Sequence, residues 1–521
     1  MLSLLKNKAA HQLGWRLLLA VAGGFISSLA FPRENLWPLI FLAVVMLLLS
    51  VYRLKTVQAL LIGFTGGLAF YLSQIEWLSL YLGPVPWLAL SILEAAIFAL
   101  GMMCIALVWR FLETSVSFTS GIRNLVIAIG IAIVWTSREW VSITLPYGGF
   151  PWSRLAQTQS ESFLSKWVFW GGLGWLSFLV ALISAIVAVA ITSRNLHNPH
   201  RFTSGIWLIG ALLFAVIVPA ITWINPQAEQ GTIKVGAVQG NANAGLFSNS
   251  ARGTILKNHL DASLLLGEKD LDLVVWPENA SDLSPFANTQ ARAAIDNFVN
   301  NEIKVPLIFG TITERGENIY NSSILWQPGV GPTDWYDKKR PVPFAEYVPD
   351  RDFWYQLAPD LIGLVSRGYA FGERDGIFEV NGSQLGTLIC FEIAVDDIGR
   401  ELVSQGAQVI LSQTNNADFG HSDETYQQAA FARLRAIETG RTVVNISTVG
   451  VSAVYNADGS VVQQLPTFEA GVMVQEVPLR TSLTPAMRIG SWIDLLINVL
   501  SVAFTTLAIR FQIRSRKRRA M

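Results

Sequence analysis

Cys390 is one of two cysteines in 521 residues and closes the apolar run Leu385–Cys390, directly before Phe391 and Glu392. A thiol at the end of a strand, followed by an acid, is a candidate nucleophile. An isolated cysteine more commonly packs as a small hydrophobe, so the position alone decides nothing. Cys104 lies inside a long apolar stretch, and no pairing of the two is expected. Two other segments carry groups that such a thiol would need. Glu278 follows an apolar run in Trp276-Pro277-Glu278, and Lys338 sits in the proline-dense stretch Tyr336–Pro349, which also holds Glu346. A thiol with a reference pKa of about 8.5 needs a base or a nearby cation to become a nucleophile. The oxyanion of a tetrahedral intermediate needs a fixed donor. A carboxylate and an ammonium beside the thiol would supply both, which is the chemistry of acyl transfer. Singly each segment is weak: a Glu after a strand is usually a solvated loop end, and Lys338 beside Lys339 and Arg340 reads equally as surface charge.

The elements that must position these groups lie in residues 226–488, which read as an ordinary polar domain. Thr232–Val238 is a predicted strand ending at Gln239-Gly240. An amphipathic helix covers about 250–266, and Leu271–Trp276 is a second strand leading to Glu278. Residues 287–302 read as helix, and Val305–Thr313 and Ser322–Trp326 as strands. Beyond Cys390 come a helix near 394–405, a strand at Ala407–Ser412 and a helix over 423–439. Val443–Asn456 and Val461–Gln464 read as a hairpin about the turn signal Asp458-Gly459. Strands alternating with helices predict a layered α/β architecture. Residues 353–372 form a long connection loaded with apolar side chains, and 279–288 is a looser version of it. That composition is wrong for disorder. Core packing and a lid that dips into lipid to admit an acyl chain both stay open.

The remainder is membrane-like. Half the chain is apolar and only 15% is charged, against about 25% in a soluble domain. The 38 basic and 38 acidic residues cancel, so net charge points to no partner. Apolar segments at 14–31, 35–52, 57–80, 86–112, 122–142, 163–192, 205–225 and 490–509 predict eight transmembrane helices, each near the ~20 residues that cross a bilayer core. The sixth is longer than one span requires and is expected to tilt or to begin as an interfacial helix with Trp167, Trp170 and Trp175. The first is expected to be retained rather than cleaved as a signal peptide. Lys6, Lys8, Arg16, Arg53, Lys55, Arg110, Arg123, Arg194, Arg201 and the tail Arg514–Arg519 fall on one side of such a frame. The positive-inside rule then puts both termini in the cytoplasm and residues 226–488 outside. The predicted organisation is a transmembrane domain at 1–225 (seven spans), an extracytoplasmic domain at 226–488, and an eighth span with a basic tail at 489–521. The tail reads as a topological anchor, not a nucleic-acid site. Arg138 and Glu139 fall near the outer end of the fifth span, where snorkelling and a functional contact are equally open.

A Glu after a strand, a Lys in a Tyr-x-Lys loop and a Cys at a strand end, in that order, resemble the carbon–nitrogen hydrolase (nitrilase) superfamily. With the eight-span frame, the whole chain resembles its membrane branch, the bacterial apolipoprotein N-acyltransferases. The matching segments are Phe150-Pro151-Trp152, Trp276-Pro277-Glu278, Val342–Pro349, Cys390-Phe391-Glu392, Thr414–Gly420 and Ala432–Arg441. The resemblance implies a nitrilase-like αββα-sandwich domain on the periplasmic side of the inner membrane and a triad of Glu278, Lys338 and Cys390. Cys390 would take an acyl chain from a phospholipid, typically phosphatidylethanolamine, as a thioester. The α-amino group of a diacylated apolipoprotein would then accept it. Glu278 would be general base and Lys338 the oxyanion partner, with Glu346, Glu392 and Asn415 in support. A thioester keeps the acyl group activated, so no cofactor is called for. His259 and His421, the only histidines of 226–488, have no ligand cluster around them, and no metal is expected. The expected partners are the phospholipid and the apolipoprotein, with no nucleic acid, and the protein is expected to be a monomer. The chain departs from the family at Asp418, where some members carry Trp, at Phe391, where some carry Tyr, and near Phe247, the nearest aromatic to a position where relatives often carry Trp. The competing readings are a membrane-tethered amidase or nitrilase acting on a small amide, which would not need eight spans, and a non-catalytic lipid-binding protein, which would not need the three site residues.

Overall fold

The computed structural model describes residues 2–116, 120–193, 201–245, 248–249, 251–267, 269–365 and 367–520. Arg194 and Phe247 lie outside them, as do the side chains of Lys6, Lys8, Arg201 and Arg519. Two compact units emerge: one of Met1–Ser79, Gly83–Thr222 and Arg488–Met521, the other of Leu80–Leu82 and Trp223–Met487.

The first unit is helical, with α1 (Leu2–Ser28), α2 (Leu39–Val51), α3 (Thr56–Gln74), α4 (Leu78–Leu82, shared with the second unit), α5 (Pro84–Ser115), α6 (Ser120–Thr144), α7 (Val168–Thr192), α8 (Arg201–Ile221) and a terminal helix, Pro485–Ala520. Among the described residues five helical stretches are long and apolar enough to cross a membrane: Thr56–Gln74, Pro84–Ser115, Gly121–Thr144, Phe163–Thr192 and Pro485–Arg518. Leu13–Ser28 and Leu39–Val51 are apolar but shorter. The helices approach closely where residues are small. A Cβ on Gly24 of α1 would lie 2.5 Å from the Gly66 carbonyl oxygen of α3, the contact that replaces hydrophobic driving force between apolar helices.

Two readings left open by the sequence take a definite form here. The sixth apolar segment is not one straight helix. Phe163–Trp167 is a 3-10 turn, and α7 breaks at Gly172, whose φ of 83° no helix contains. Arg138 and Glu139 do not snorkel. They are 7% and 4% exposed on α6. The guanidinium donates to Tyr71 Oη at 3.2 Å and stacks over Phe98 and Trp135. Glu139 Oε1 accepts from Trp135 Nε1 at 3.0 Å and from the Leu155 N–H at 3.2 Å. Partners inside the bundle offset the cost of desolvating these groups.

The second unit is built on two six-stranded sheets. Its strands are β1 (Thr232–Gln239), β2 (Leu273–Val275), β3 (Leu307–Arg315), β4 (Asn318–Gln327), β5 (Gly331–Asp337), β6 (Ile377–Val380), β7 (Ser383–Ile389), β8 (Val409–Thr414), β9 (Val443–Ser447), β10 (Ala453–Tyr455), β11 (Val461–Gln464) and β12 (Gly471–Pro478). The orders are β12-β1-β2-β3-β4-β5 and β11-β10-β9-β8-β7-β6. Each sheet has three parallel strands, β1–β3 and β7–β9, flanked by antiparallel ones. The predicted strand at 443–456 is two antiparallel strands, β9 and β10, with the chain turning between them.

Alternation along the strands sorts the side chains into layers. Leu273 and Val275 of β2, Leu385 and Ile389 of β7 and Val409 and Leu411 of β8 meet in one buried core between the sheets. Val274, Trp276 and Phe309 face the other way, onto helices α9 (Thr254–Ser263) and α10 (Thr289–Asn297). Two short helices, α11 (Arg351–Leu357) and α12 (Pro359–Leu364), follow β5. On the second sheet, α13 (Asp396–Ser404) packs on β7, and α14 (Glu424–Thr439) packs on β9 and β10. The result is the four-layer αββα sandwich. The 353–372 connection does not pack into this core. It forms α11 and α12, with Phe353, Leu357 and Leu364 more than half exposed and Ile362 buried.

Candidate active site

Catalytic groups in open α/β sheets gather beyond the carboxyl ends of parallel strands. Glu278 and Cys390 follow the ends of β2 and β7. Pro277 lacks an N–H and stops β2 from extending. The chain then turns across β3 at Gly310, whose N–H donates to the Pro277 carbonyl at 3.0 Å. A Cβ there would stand 2.6 Å from Glu278 Cα, so only glycine lets the acidic turn pass. Glu278 is thereby buried, at 5% exposure.

Lys338 directly follows β5. Its N–H donates to the Asn321 carbonyl at 2.9 Å, and its carbonyl accepts from the Gly372 N–H at 2.9 Å. The side chain is 2% exposed. Nζ lies 3.4 Å from Glu278 Oε1 and 2.9 Å from Glu346 Oε2. The same oxygen also holds its own loop, since Glu346 Oε2 accepts from the Val342 N–H at 2.6 Å. Asn321 of β4 joins the two acids. Its Nδ2 donates to Glu278 Oε1 at 2.7 Å and to Glu346 Oε1 at 2.9 Å.

Cys390 leaves β7 with φ +53°, a left-handed conformation that costs a non-glycine residue about 1–2 kcal/mol. The chain bends there into the 3-10 turn Cys390–Ala394, so the thiol leaves the strand line and comes within electrostatic reach of Glu278 and Lys338. Glu392 secures the bend. It is fully buried. Its Oε2 accepts from the Ile389 N–H at 2.9 Å, and its Oε1 from Tyr336 Oη and the Lys339 N–H at 2.8 Å and the Arg340 N–H at 3.1 Å. One carboxylate thus ties the residue before the thiol to the residues after the lysine. From α14, the buried Arg435 donates to the Ile393 carbonyl in the same turn.

The electrostatics suit a base beside a thiol. Burial raises Glu278 above the ordinary carboxylate value, and Glu346 adds to this, against Lys338, Asn321 and the thiol itself. Burial alone would lower Lys338. Glu346 and Glu278 outweigh it and hold the ammonium well above the usual lysine value. Burial and then Glu278 push the Cys390 thiol up, opposed by Lys338. Cys390 therefore rests as a thiol, with an ammonium held charged beside it.

The three expected groups, Glu278, Lys338 and Cys390, thus lie together, with Glu346 and Glu392 in contact with them or with their backbone. Asn415 does something more local: its Oδ1 accepts from the Ala417 N–H at 3.2 Å. Its neighbour Asn416 is the buried hub, bonded to Glu424, Gln428, Ser447 and Thr414. Asp418 lies in the next 3-10 turn, where burial and Glu278 raise its carboxyl to about 6. The sequence does not single out Asn321, Asn416 or Gln428. Only the Thr414–Gly420 motif, which contains Asn416, points near any of them.

Both the sandwich and the helical unit have known relatives. Residues 234–482 match the carbon–nitrogen hydrolase family model, so the sandwich is a carbon–nitrogen hydrolase domain of nitrilase-like fold. Residues 23–186 match the model of the apolipoprotein N-acyltransferase N-terminal domain. An apolipoprotein N-acyltransferase of Mycolicibacterium smegmatis is 32% identical over 67% of this chain and 63% of its own length. One of Vibrio parahaemolyticus is 26% identical over 93% of this chain and 95% of its own. A solved amidase variant of the nitrilase superfamily, from Nesterenkonia AN1, covers 50% of this chain and 95% of its own at 18% identity and a TM-score of 0.38. The chain belongs to the apolipoprotein N-acyltransferase family.

Proposed function

We propose that this chain is a multi-pass bacterial inner-membrane acyltransferase that moves a fatty acyl chain from a phospholipid, typically phosphatidylethanolamine, to the α-amino group of a diacylated apolipoprotein. Glu278 takes the Cys390 proton, and the thiolate attacks the ester carbonyl. The oxyanion forms beside Lys338. Its collapse breaks the ester bond, and the departing glycerol oxygen takes the proton back from Glu278, leaving a thioester and a lysophospholipid. The apolipoprotein amine then attacks the thioester, gives its proton to Glu278 and expels the thiolate. Glu346, Glu392 and Asn415 support these groups. The domain boundaries of this reading are 1–225, 226–488 and 489–521, with eight spans, both termini in the cytoplasm and the sandwich on the periplasmic side. The exposed apolar faces of α11 and α12 enter lipid and admit the acyl chain. The protein acts as a monomer.

The observation that carries this reading is the contact network of Glu278, Lys338 and Glu346 within electrostatic reach of the Cys390 thiol, drawn from separate strand ends and a loop. The test is to incubate the purified protein with phosphatidylethanolamine and map the acyl mass. The adduct is expected on the Cys390 peptide, absent in Cys390→Ala, and discharged by a diacylated lipopeptide. Turnover of a small amide with water as acceptor and no lipid requirement would overturn the reading.

A further inference from the structure

A second polar network reaches the thiol from the helix side. Gln428 on α14 is 1% exposed, and its Nε2 lies 3.3 Å from Cys390 Sγ. Among the described residues no other partner of that nitrogen is present. Its Oε1 accepts from Asn416 Nδ2 at 2.7 Å, and the other hydrogen of that amide goes to Glu424 Oε2, also at 2.7 Å. Asn416 Oδ1 in turn accepts from Ser447 Oγ at 2.6 Å and Thr414 Oγ1 at 3.2 Å. Ser447 Oγ already accepts from the Gly450 N–H, so its own hydrogen is free to be given. Every hydrogen of the Asn416 amide is used, and its carbonyl receives two hydroxyls.

This fixes a direction. With Asn416 holding the Gln428 oxygen, the Gln428 amide cannot flip, and its N–H group must face the sulfur. Three carboxylates, Glu278, Glu424 and Glu346, oppose a negative charge on that sulfur, and Lys338, the cation that favours it, is shared with Glu278 and Glu346. A neutral donor stabilises the thiolate without adding a charge that would draw Glu278 or Lys338 from their tasks. We infer that Gln428 is a further catalytic residue, the hydrogen-bond donor to the Cys390 thiolate, and that Asn416 is the positioning residue that aims it. The inference rests on Cys390 as the nucleophile.

The test uses the full-length protein in detergent and reads the Cys390 peptide by mass spectrometry. Iodoacetamide alkylation is followed against pH in the unaltered protein, in Gln428→Met, which keeps the shape and removes the donor, and in Gln428→Glu, which keeps the acceptor for Asn416. Both variants are expected to move the alkylation midpoint up by about one unit or more, a tenfold loss of thiolate at a given pH below it. Acyl-adduct formation at pH 7 should fall about tenfold through kcat, with KM for phospholipid little changed. Asn416→Ser should give a smaller shift in the same direction. An unmoved midpoint in whichever of these variants keeps its thermal transition overturns the inference. Absence of an acyl adduct on Cys390 in the unaltered protein is a separate result, and it overturns the catalytic reading instead.

Discussion

Lys338 Nζ stands closer to Glu346, at 2.9 Å, than to Glu278, at 3.4 Å. The nearer counter-ion is therefore not Glu278, the carboxylate proposed to take the thiol proton. Glu346 holds the ammonium in place, and Glu278 keeps capacity for a proton. Removing Glu346 should send Lys338 onto Glu278 and weaken the base. Glu346→Gln is expected to slow single-turnover acyl-adduct formation by about 10²-fold, with Glu346→Asp recovering part of the rate. A rate within twofold of the unaltered protein would mean that Glu278 alone positions the lysine.

Glu392 accepts from four donors, one on the nucleophile's strand and three at the lysine's. In Glu392→Gln an amide nitrogen must face at least one of those N–H groups. An unsatisfied buried donor costs about 1–3 kcal/mol, so the thermal midpoint should fall by several degrees and adduct formation should fall with it. Retention of both would show that the clamp is redundant.

The backbone of Cys390 predicts an unusual ranking of two inactive variants. Cys390→Gly and Cys390→Ala both lose the adduct. At φ +53° glycine is unstrained and alanine is not. Cys390→Gly should therefore be as stable as Cys390→Ala or better, by up to about 1 kcal/mol in denaturant melts, the reverse of the order seen in a helix. Alanine clearly ahead would contradict the strained geometry.

Glu424 gives the sandwich a pH signature. Burial, opposed by Asn416 and aided by Glu278, pushes its carboxyl up to about 8. In the unfolded chain it ionises near 4.5, so its contribution is full below that value and is lost as pH rises through about 8. Glu424→Gln mimics the protonated form. Melting curves should show its advantage over the unaltered protein growing between pH 5 and pH 9, to a few kcal/mol at most. A constant difference across that window would indicate that Glu424 titrates normally.

The order of Glu278, Lys338 and Cys390 and the alternation of strands and helices are legible in the sequence because each depends on local pattern. The strands that carry no sequence signal, β5, β6 and β12, are all at sheet edges. Edge strands tolerate residues such as Pro332 in β5 that central ones exclude. Asn321 and Gln428 are equally silent, being single polar residues in otherwise ordinary elements. Their roles arise from groups as far as 43 and 38 positions away. The pairing of Arg138 with Tyr71 is hidden for the same reason, since hydropathy registers a charge but not its partner.

Glu278 and Lys338 belong to one sheet and Cys390 to the other. The two are joined by the core between them and by contacts such as Gln413 Nε2 to the Trp276 carbonyl at 2.6 Å. The proposed reacting groups are thus a gauge of how well the sandwich is zipped. A slip of an ångström between the layers would part base from thiol while every strand stayed hydrogen-bonded to its neighbours. Such an enzyme falls silent on warming before it melts, and core substitutions far from the thiol become rate mutants before they become folding mutants.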